Sequence, residues 1–216
     1  NGLRGAVASD GTITVAGVRN SETNEGNLVA DALRDAAVRR ADLYGLPDAD
    51  VALQNGGGIR NNSVIPAGPI TALDTFAIAP FANFVSVIPE VSRERMKAVL
   101  EHSVADIGGG QFGQWSGISF TYDHTQPAGS RVVDAALDGG EPIIAGGSVV
   151  PGGPLTLATN DFTALGGDAY PLADLPYTRV GVTYQQALET YLAETLGGQV
   201  TAAQYPVGGS GRIVRL

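Results

Sequence analysis

The sequence has no cysteine, one methionine, one tryptophan and two histidines, and Lys97 is the only lysine among 13 basic residues. Without cysteine there is no disulfide, no thiolate nucleophile and no thiolate-ligated metal site. A catalytic zinc site needs several histidine or carboxylate ligands at close spacing, and His102 and His124 fall on separate segments. Both read as solvated histidines, His102 on the polar side of a helix and His124 in a turn. No Gly-x-Ser-x-Gly elbow occurs, and no glycine pattern precedes Lys97 to make a P-loop. No apolar run approaches the roughly 20 residues that cross a bilayer as a helix. Charged residues are scarce at 16 % and mean hydropathy is +0.07, the reverse of a disordered composition. The net charge of −9 repels duplex nucleic acid, although a small anion can still bind where arginines converge.

What is present is a chain of 216 residues with 30 glycines and 12 prolines, long enough for one domain and rich in tight loops. It starts at Asn1 without a methionine or a signal-like segment, so it is expected to be a piece of a longer protein.

Apolar periodicity predicts a weak strand at 12–15 and a helix from about Asn24, capped by Asn20 or Ser21 and closed by Gly45 and Pro47. Val51–Gln54 reads as a strand. A short helix follows at Ala72–Ile78 behind the cap Thr71. Phe84–Ile88 reads as a strand ended by Pro89. Ser92 caps the next helix, on which Met96, Val99, Leu100, Ser103, Val104 and Ile107 share a face until Gly108–Gly110 stops it. Strands are expected at 118–122, 131–137, 142–144, 155–159 and 212–216, and a last helix at Tyr184–Leu196 behind Thr183, closed by Gly197. Helices and strands alternate irregularly, with hairpins in the second half. The fold class is α+β, a single domain of mixed sheet with packed helices, rather than a doubly wound parallel sheet.

Gly108-x-Gly110-x-x-Gly113 matches the dinucleotide fingerprint by letters. That motif needs a strand before it and a helix after it, and here the order is reversed. Asn61-Asn62-Ser63 fits a glycosylation acceptor, a triplet common by chance.

Four segments remain, each placing polar or aromatic groups on a loop that leaves a regular element. RNSETNEGNLVAD, from Arg19 to Asp31, puts an arginine ahead of a helix start, where capping does not require one. ALQNGGGIR, from Ala52 to Arg60, follows a buried strand with three glycines that permit close backbone approach to a ligand. It is flanked by the Asn55 amide and the planar Arg60 guanidinium, which suits phosphate. APFAN carries Phe81 and Asn83, and NDFTALGGDAY carries Phe162, Gly166, Gly167 and Asp168. Phe81 and Phe162 taken singly are more often core residues than ligand platforms. Together the four segments form a nucleotide-binding kit: aromatic faces for a base, an aspartate for ribose hydroxyls and arginines for phosphate.

In order and rough spacing these segments resemble the C-terminal, substrate-binding domain of the 5′-nucleotidase family, enzymes that dephosphorylate nucleotides and, in some members, UDP-sugars or 2′,3′-cyclic nucleotides. The likeness runs from about Arg19 to Arg212. NGGGIR and the NDF…GGD pair are its specific parts, and the Gly108–Asp123 stretch supports it. The resemblance implies that the base stacks between Phe81 and Phe162, that Asp168 binds the ribose and Asn55 the base, and that Arg19 and Arg60 hold the phosphate, with Asn83 and the Gly58 backbone nearby. Family members often have glycine where Ala82 stands. The resemblance further implies that residues 1–18 are an interdomain linker leading into a nucleotide-binding domain at 19–216. The catalytic metallophosphoesterase domain, with its two divalent metal ions, would lie N-terminal to this chain in the same polypeptide. No catalytic or metal-ligating residue is then expected here, and the chain alone is expected to be inactive. An extracellular, cell-surface or periplasmic location is implied by family alone. A 2′,3′-cyclic-nucleotide phosphodiesterase/3′-nucleotidase and a non-catalytic binding or adhesion module stay open as alternatives.

Overall fold

The computed structural model describes all residues 1–216. In chain order the strands and helices are β1 (Ala6–Val7), β2 (Ile13–Val15), α1 (Asn24–Tyr44), β3 (Val51–Asn55), α2 (Ala72–Ile78), β4 (Phe84–Val91), α3 (Arg93–Ser103), β5 (Gly113–Ser116), β6 (Ile118–Tyr122), β7 (Val132–Leu137), β8 (Pro142–Ala145), β9 (Ser148–Val149), β10 (Leu155–Asn160), α4 (Asp161–Ala164), β11 (Thr178–Thr183), α5 (Tyr184–Thr190) and β12 (Ile213–Arg215). The α+β class holds, and the sheet is divided in two. The first has the order β11-β4-β10-β3-β5 and the second β12-β6-β7-β8-β9, with β1 and β2 forming a separate ribbon. In the first sheet only β3 and β10 run parallel.

Both faces of the first sheet are covered, so its inner strands are apolar throughout rather than alternating. Ala52, Val87, Ala158 and Val180 face α1 and α5 in one core. Val51, Leu53, Ile88 and Leu157 belong to a second core, which takes in Met96, Val99 and Leu100 of α3 and Phe120, Tyr122 and Val132 of the second sheet. The helix α3 is thus packed between the sheets. Burying a side chain such as Leu33, fully inaccessible on α1, contributes about 1.5–3 kcal/mol.

Several boundaries differ from the sequence reading for local reasons. Thr23, not Asn20 or Ser21, caps α1: its hydroxyl accepts from the Gly26 N–H at 2.9 Å. The Asn20 amide is already engaged, accepting from Gly17 N and donating to Val15 O. Pro89 does not end β4. Two steps along β10 from Leu155 to Leu157 oppose three along β4 from Val91 to Ile88, a bulge that holds Pro89 and Glu90, the latter at φ 58°. The helix α3 stops at Ser103 because Arg131 takes the carbonyls of Val104 and Ala105 at 2.5 and 2.9 Å, as basic side chains do at helix C-termini. After α5 the last turn, Tyr191–Thr195, widens to a π turn, with Leu196 N–H donating to Tyr191 O.

Candidate functional site

The parallel neighbours β3 and β10 end in Asn55 and Asn160 on the same side of the sheet. Ligand clefts form beyond the carboxyl ends of parallel strands, where the following loops separate. Here a cleft of about 380 Å³ lies at those ends, lined by Arg19, Asn55, Gly58, Arg60, Phe81, Asn83, Phe162 and Asp168. All eight candidate site residues therefore line one cavity. Its remaining walls are Gln54, Gly57, Gly110, Asn160 and Tyr184, which the sequence reading did not select. Gln54, Gly57, Gly110 and Asn160 stood inside quoted motifs; Tyr184 was read only as the first residue of the last helix.

The three glycines of the β3 turn are accounted for mainly by the protein itself. A Cβ at Gly56 would lie 2.1 Å from Val18 O, and one at Gly58 would lie 2.2 Å from Gln54 Nε2. Gly56 and Gly57 N–H groups donate to Phe112 O and Gly110 O, each at 2.7 Å. The Gly108–Gly113 segment is thus a lid strapped across the turn, and it carries no dinucleotide-type helix. Tyr184 fixes the other side. Its hydroxyl accepts from Phe81 N–H and donates to Gly58 O, both at 3.1 Å. Burial pushes this phenol up to about 12, so it remains a donor.

The floor is a buried amide network. Asn55 Oδ1 accepts from Gln54 Nε2 at 2.9 Å and Asn160 Nδ2 at 3.0 Å, and Asn55 Nδ2 donates to Asp168 Oδ2 at 2.8 Å. Asn55 thereby orients the Asp168 carboxylate and retains one amide hydrogen. Asp168 sits at φ 53° and the next residue, Ala169, at φ 62°. Non-glycine residues in this region are strained, a condition that clusters at functional sites. His102, read from sequence as solvated, is instead half-buried. Its Nε2 lies 2.7 Å from Asp168 O, and Tyr170 meets its ring edge-on at 4.9 Å between centroids. Helical periodicity placed His102 away from the core but gave no sign of a loop arriving from 66 residues downstream.

Two aromatic rings flank the cleft, and both are open to solvent: Phe81 is 46 % and Phe162 43 % exposed. Gly167 backs Phe162 so closely that a Cβ there would fall 2.5 Å from the ring. Asn83 is steered by Asp161, which accepts its Nδ2 at 2.8 Å and is itself paired with Arg179 at 3.0 Å. The ring of Phe81 lies 5.6 Å from the Arg60 guanidinium.

Electrostatically the cleft is out of balance. Arg19 is only 8 % exposed, its Nε is buried without a partner, and it forms no ion pair. Burial, followed by the nearby charges of Arg4 and Arg60, lowers its pKa from the ordinary arginine value, while Asp168 opposes the shift. A buried guanidinium left unpaired beside two others, in a protein of net charge −9, is an arrangement that an anion would complete. For metals the chain offers nothing comparable: no group of three or more His, Asp or Glu side chains is placed to hold an ion. No helix is long and apolar enough to cross a membrane.

The chain as a whole is similar to known proteins. Residues 5–174 match the model of the 5′-nucleotidase C-terminal domain. The trifunctional nucleotide phosphoesterase YfkN of Bacillus subtilis is 32 % identical over 157 residues, which is 71 % of this chain and 10 % of that protein. The 5′-nucleotidase of Diplobatis ommata is 30 % identical over 169 residues, 71 % of this chain and 27 % of that protein. Among solved structures, the 5′-nucleotidase precursor of Thermus thermophilus superposes with a TM-score of 0.73 at 29 % identity, over 100 % of this chain and 38 % of that one. The chain thus spans well under half the length of these relatives. With the family model covering well over half of its own residues, this chain belongs to the 5′-nucleotidase C-terminal domain family.

Proposed function

We propose that this chain is the nucleotide-recognition domain of a metal-dependent 5′-nucleotidase-type phosphohydrolase. The observation that carries the reading is the cleft itself. It joins an unpaired buried arginine, a second arginine, a braced carboxylate and two open phenylalanine faces within about 380 Å³. In this reading a nucleobase stacks between Phe81 and Phe162, Asp168 accepts from the ribose hydroxyls, and Arg19 and Arg60 neutralise the phosphate. Asn83 and the Gly58 backbone border the base. The remaining Asn55 amide hydrogen is left for the nucleoside.

The domain's part in the reaction is positioning: holding base, ribose and phosphate together supplies the orientational share of rate enhancement. The divalent ions would be held by a metallophosphoesterase domain of the same polypeptide, joined through residues 1–18, since the residues here supply no ligand set. By itself the chain would bind and not hydrolyse. By analogy with the family, the full protein would act outside the cytoplasm. An adhesion module would have no use for a guanidinium cluster that Asp168 only partly offsets in a ligand-sized cleft, so the nucleotide reading is preferred. Arg60→Ala tests it: AMP affinity is expected to fall more than adenosine affinity, and equal losses would refute a phosphate role.

A further inference from the structure

The Asp168 loop is the least relaxed part of the cleft. Two successive non-glycine residues, Asp168 and Ala169, lie in the left-handed region, which L-residues occupy only when their surroundings impose it. Three contacts impose it here. Asn55 Nδ2 holds the carboxylate. Tyr170, fully buried, donates its hydroxyl to Gln111 O. His102 Nε2 meets the main-chain carbonyl of Asp168 at 2.7 Å. A carbonyl only accepts, so Nε2 carries the hydrogen. The ring is fixed in turn by the edge of Tyr170. On the opposite side Gly110 leaves room for the carboxylate; a Cβ there would lie 3.2 Å from Asp168 Oδ2.

We infer that His102 is a positioning residue of the recognition site, whose Nε2–H pins the Asp168 backbone and so keeps the carboxylate aimed at the ribose hydroxyls. The inference rests on the reading of Asp168 as the ribose ligand. Without the Nε2 donor the loop keeps only its contact with Asn55 and the Tyr170 anchor. The strained pair can then relax towards right-handed backbone, swinging the carboxylate out of register. The rings of the base platform stand on other elements, with Phe81 before β4 and Phe162 on α4; Gly167, which backs Phe162, precedes the released segment, and its carbonyl is held separately by Tyr170 N–H. A purely structural histidine would behave differently: its loss would weaken every ligand alike through general loosening.

The test compares adenosine with 2′,3′-dideoxyadenosine, neither of which carries a phosphate to hydrolyse, by equilibrium binding to the protein and its variants. Wild type should prefer adenosine by on the order of tenfold, the worth of hydrogen bonds to an ionised carboxylate. His102→Phe keeps a ring and loses the donor. It should bring the preference close to one while leaving dideoxyadenosine affinity within about twofold, since a missing contact changes only the ligand that used it. His102→Gln, whose Nε2 stands at the same reach from the backbone, should restore the preference. If His102→Phe fails to fold, His102→Asn, whose amide stops short of the Asp168 carbonyl, replaces it with the same expectation. An unchanged preference in the donorless variant, or equal loss for both nucleosides, overturns the role of His102. A wild type that does not distinguish the two ligands overturns the ribose assignment of Asp168, and this inference with it.

Discussion

Replacing Arg19 by methionine should move stability and binding in opposite directions. The stem of Arg19 is packed, and methionine retains that packing. The guanidinium is the uncomfortable part: it is buried, its Nε lacks an acceptor, and Arg4 and Arg60 press like charge upon it. An unsatisfied buried donor costs about 1–3 kcal/mol. Removing it should stabilise the ligand-free protein by about 1–2 kcal/mol after an allowance for imperfect packing. For a domain of this size that raises Tm by roughly 2–8 °C. The same substitution removes a charge-assisted hydrogen bond to phosphate, worth about 1.5–3 kcal/mol, so AMP affinity should fall about 10- to 150-fold. Adenosine, lacking the phosphate, should bind as before. Thermal unfolding without ligand and calorimetric titration with both ligands give the two numbers. A lower Tm, with AMP and adenosine weakened equally, would refute the reasoning and make Arg19 a structural residue.

Three further outcomes follow from the same geometry. Phe81→Ala and Phe162→Ala should each weaken adenosine by about 1–3 kcal/mol, one base–aromatic stack, with Tm nearly unchanged because both rings are about half exposed; wild-type affinity in both variants would remove the stacking role. Gly167→Ala should displace the Phe162 ring, whose carbons lie within 2.6 Å of the new Cβ, and lower nucleoside affinity in a folded protein, read by calorimetry beside circular dichroism. The Asp123 carboxyl, held at about 2 by the Thr125 and Gln126 side chains, favours the fold at any pH above its unfolded value near 3.8 and loses that contribution as pH falls through about 2. An NMR titration of its side chain should find the midpoint near 2, and a midpoint near 3.8 would mean that the turn is not formed.

The sequence marked the elements whose signals are local. The helix α2 behind Thr71, which forms a capping box with Asp74, and the strands β3, β6 and β10 carry their own caps, runs and turns. What escaped depends on distant partners. The strand β5 contains Gln114, a fully buried polar residue that bonds Thr23 N, Val18 O and Ser21 O, and its letters alone read as a glycine-rich loop. The strand β11 is half exposed and carries Gly181 at φ 76°, so neither apolar alternation nor propensity marks it. The candidate site was legible as residue types and loop positions, since Arg19, Asn55, Arg60, Phe81 and Asp168 each follow or precede a recognisable element. The bonds among them were not legible: the donation from Asn55 to Asp168 spans 113 residues and the contact from His102 to the Asp168 backbone spans 66, and no local pattern encodes either.

The central claim, that this domain recognises a nucleotide through the cleft at the ends of β3 and β10, is tested most directly by calorimetric titration of the chain with AMP, using Phe162→Ala as the control. The account predicts saturable binding at one site that is weakened by about 1–3 kcal/mol in the variant. No saturable binding, or binding that is undiminished without the Phe162 ring, would contradict it.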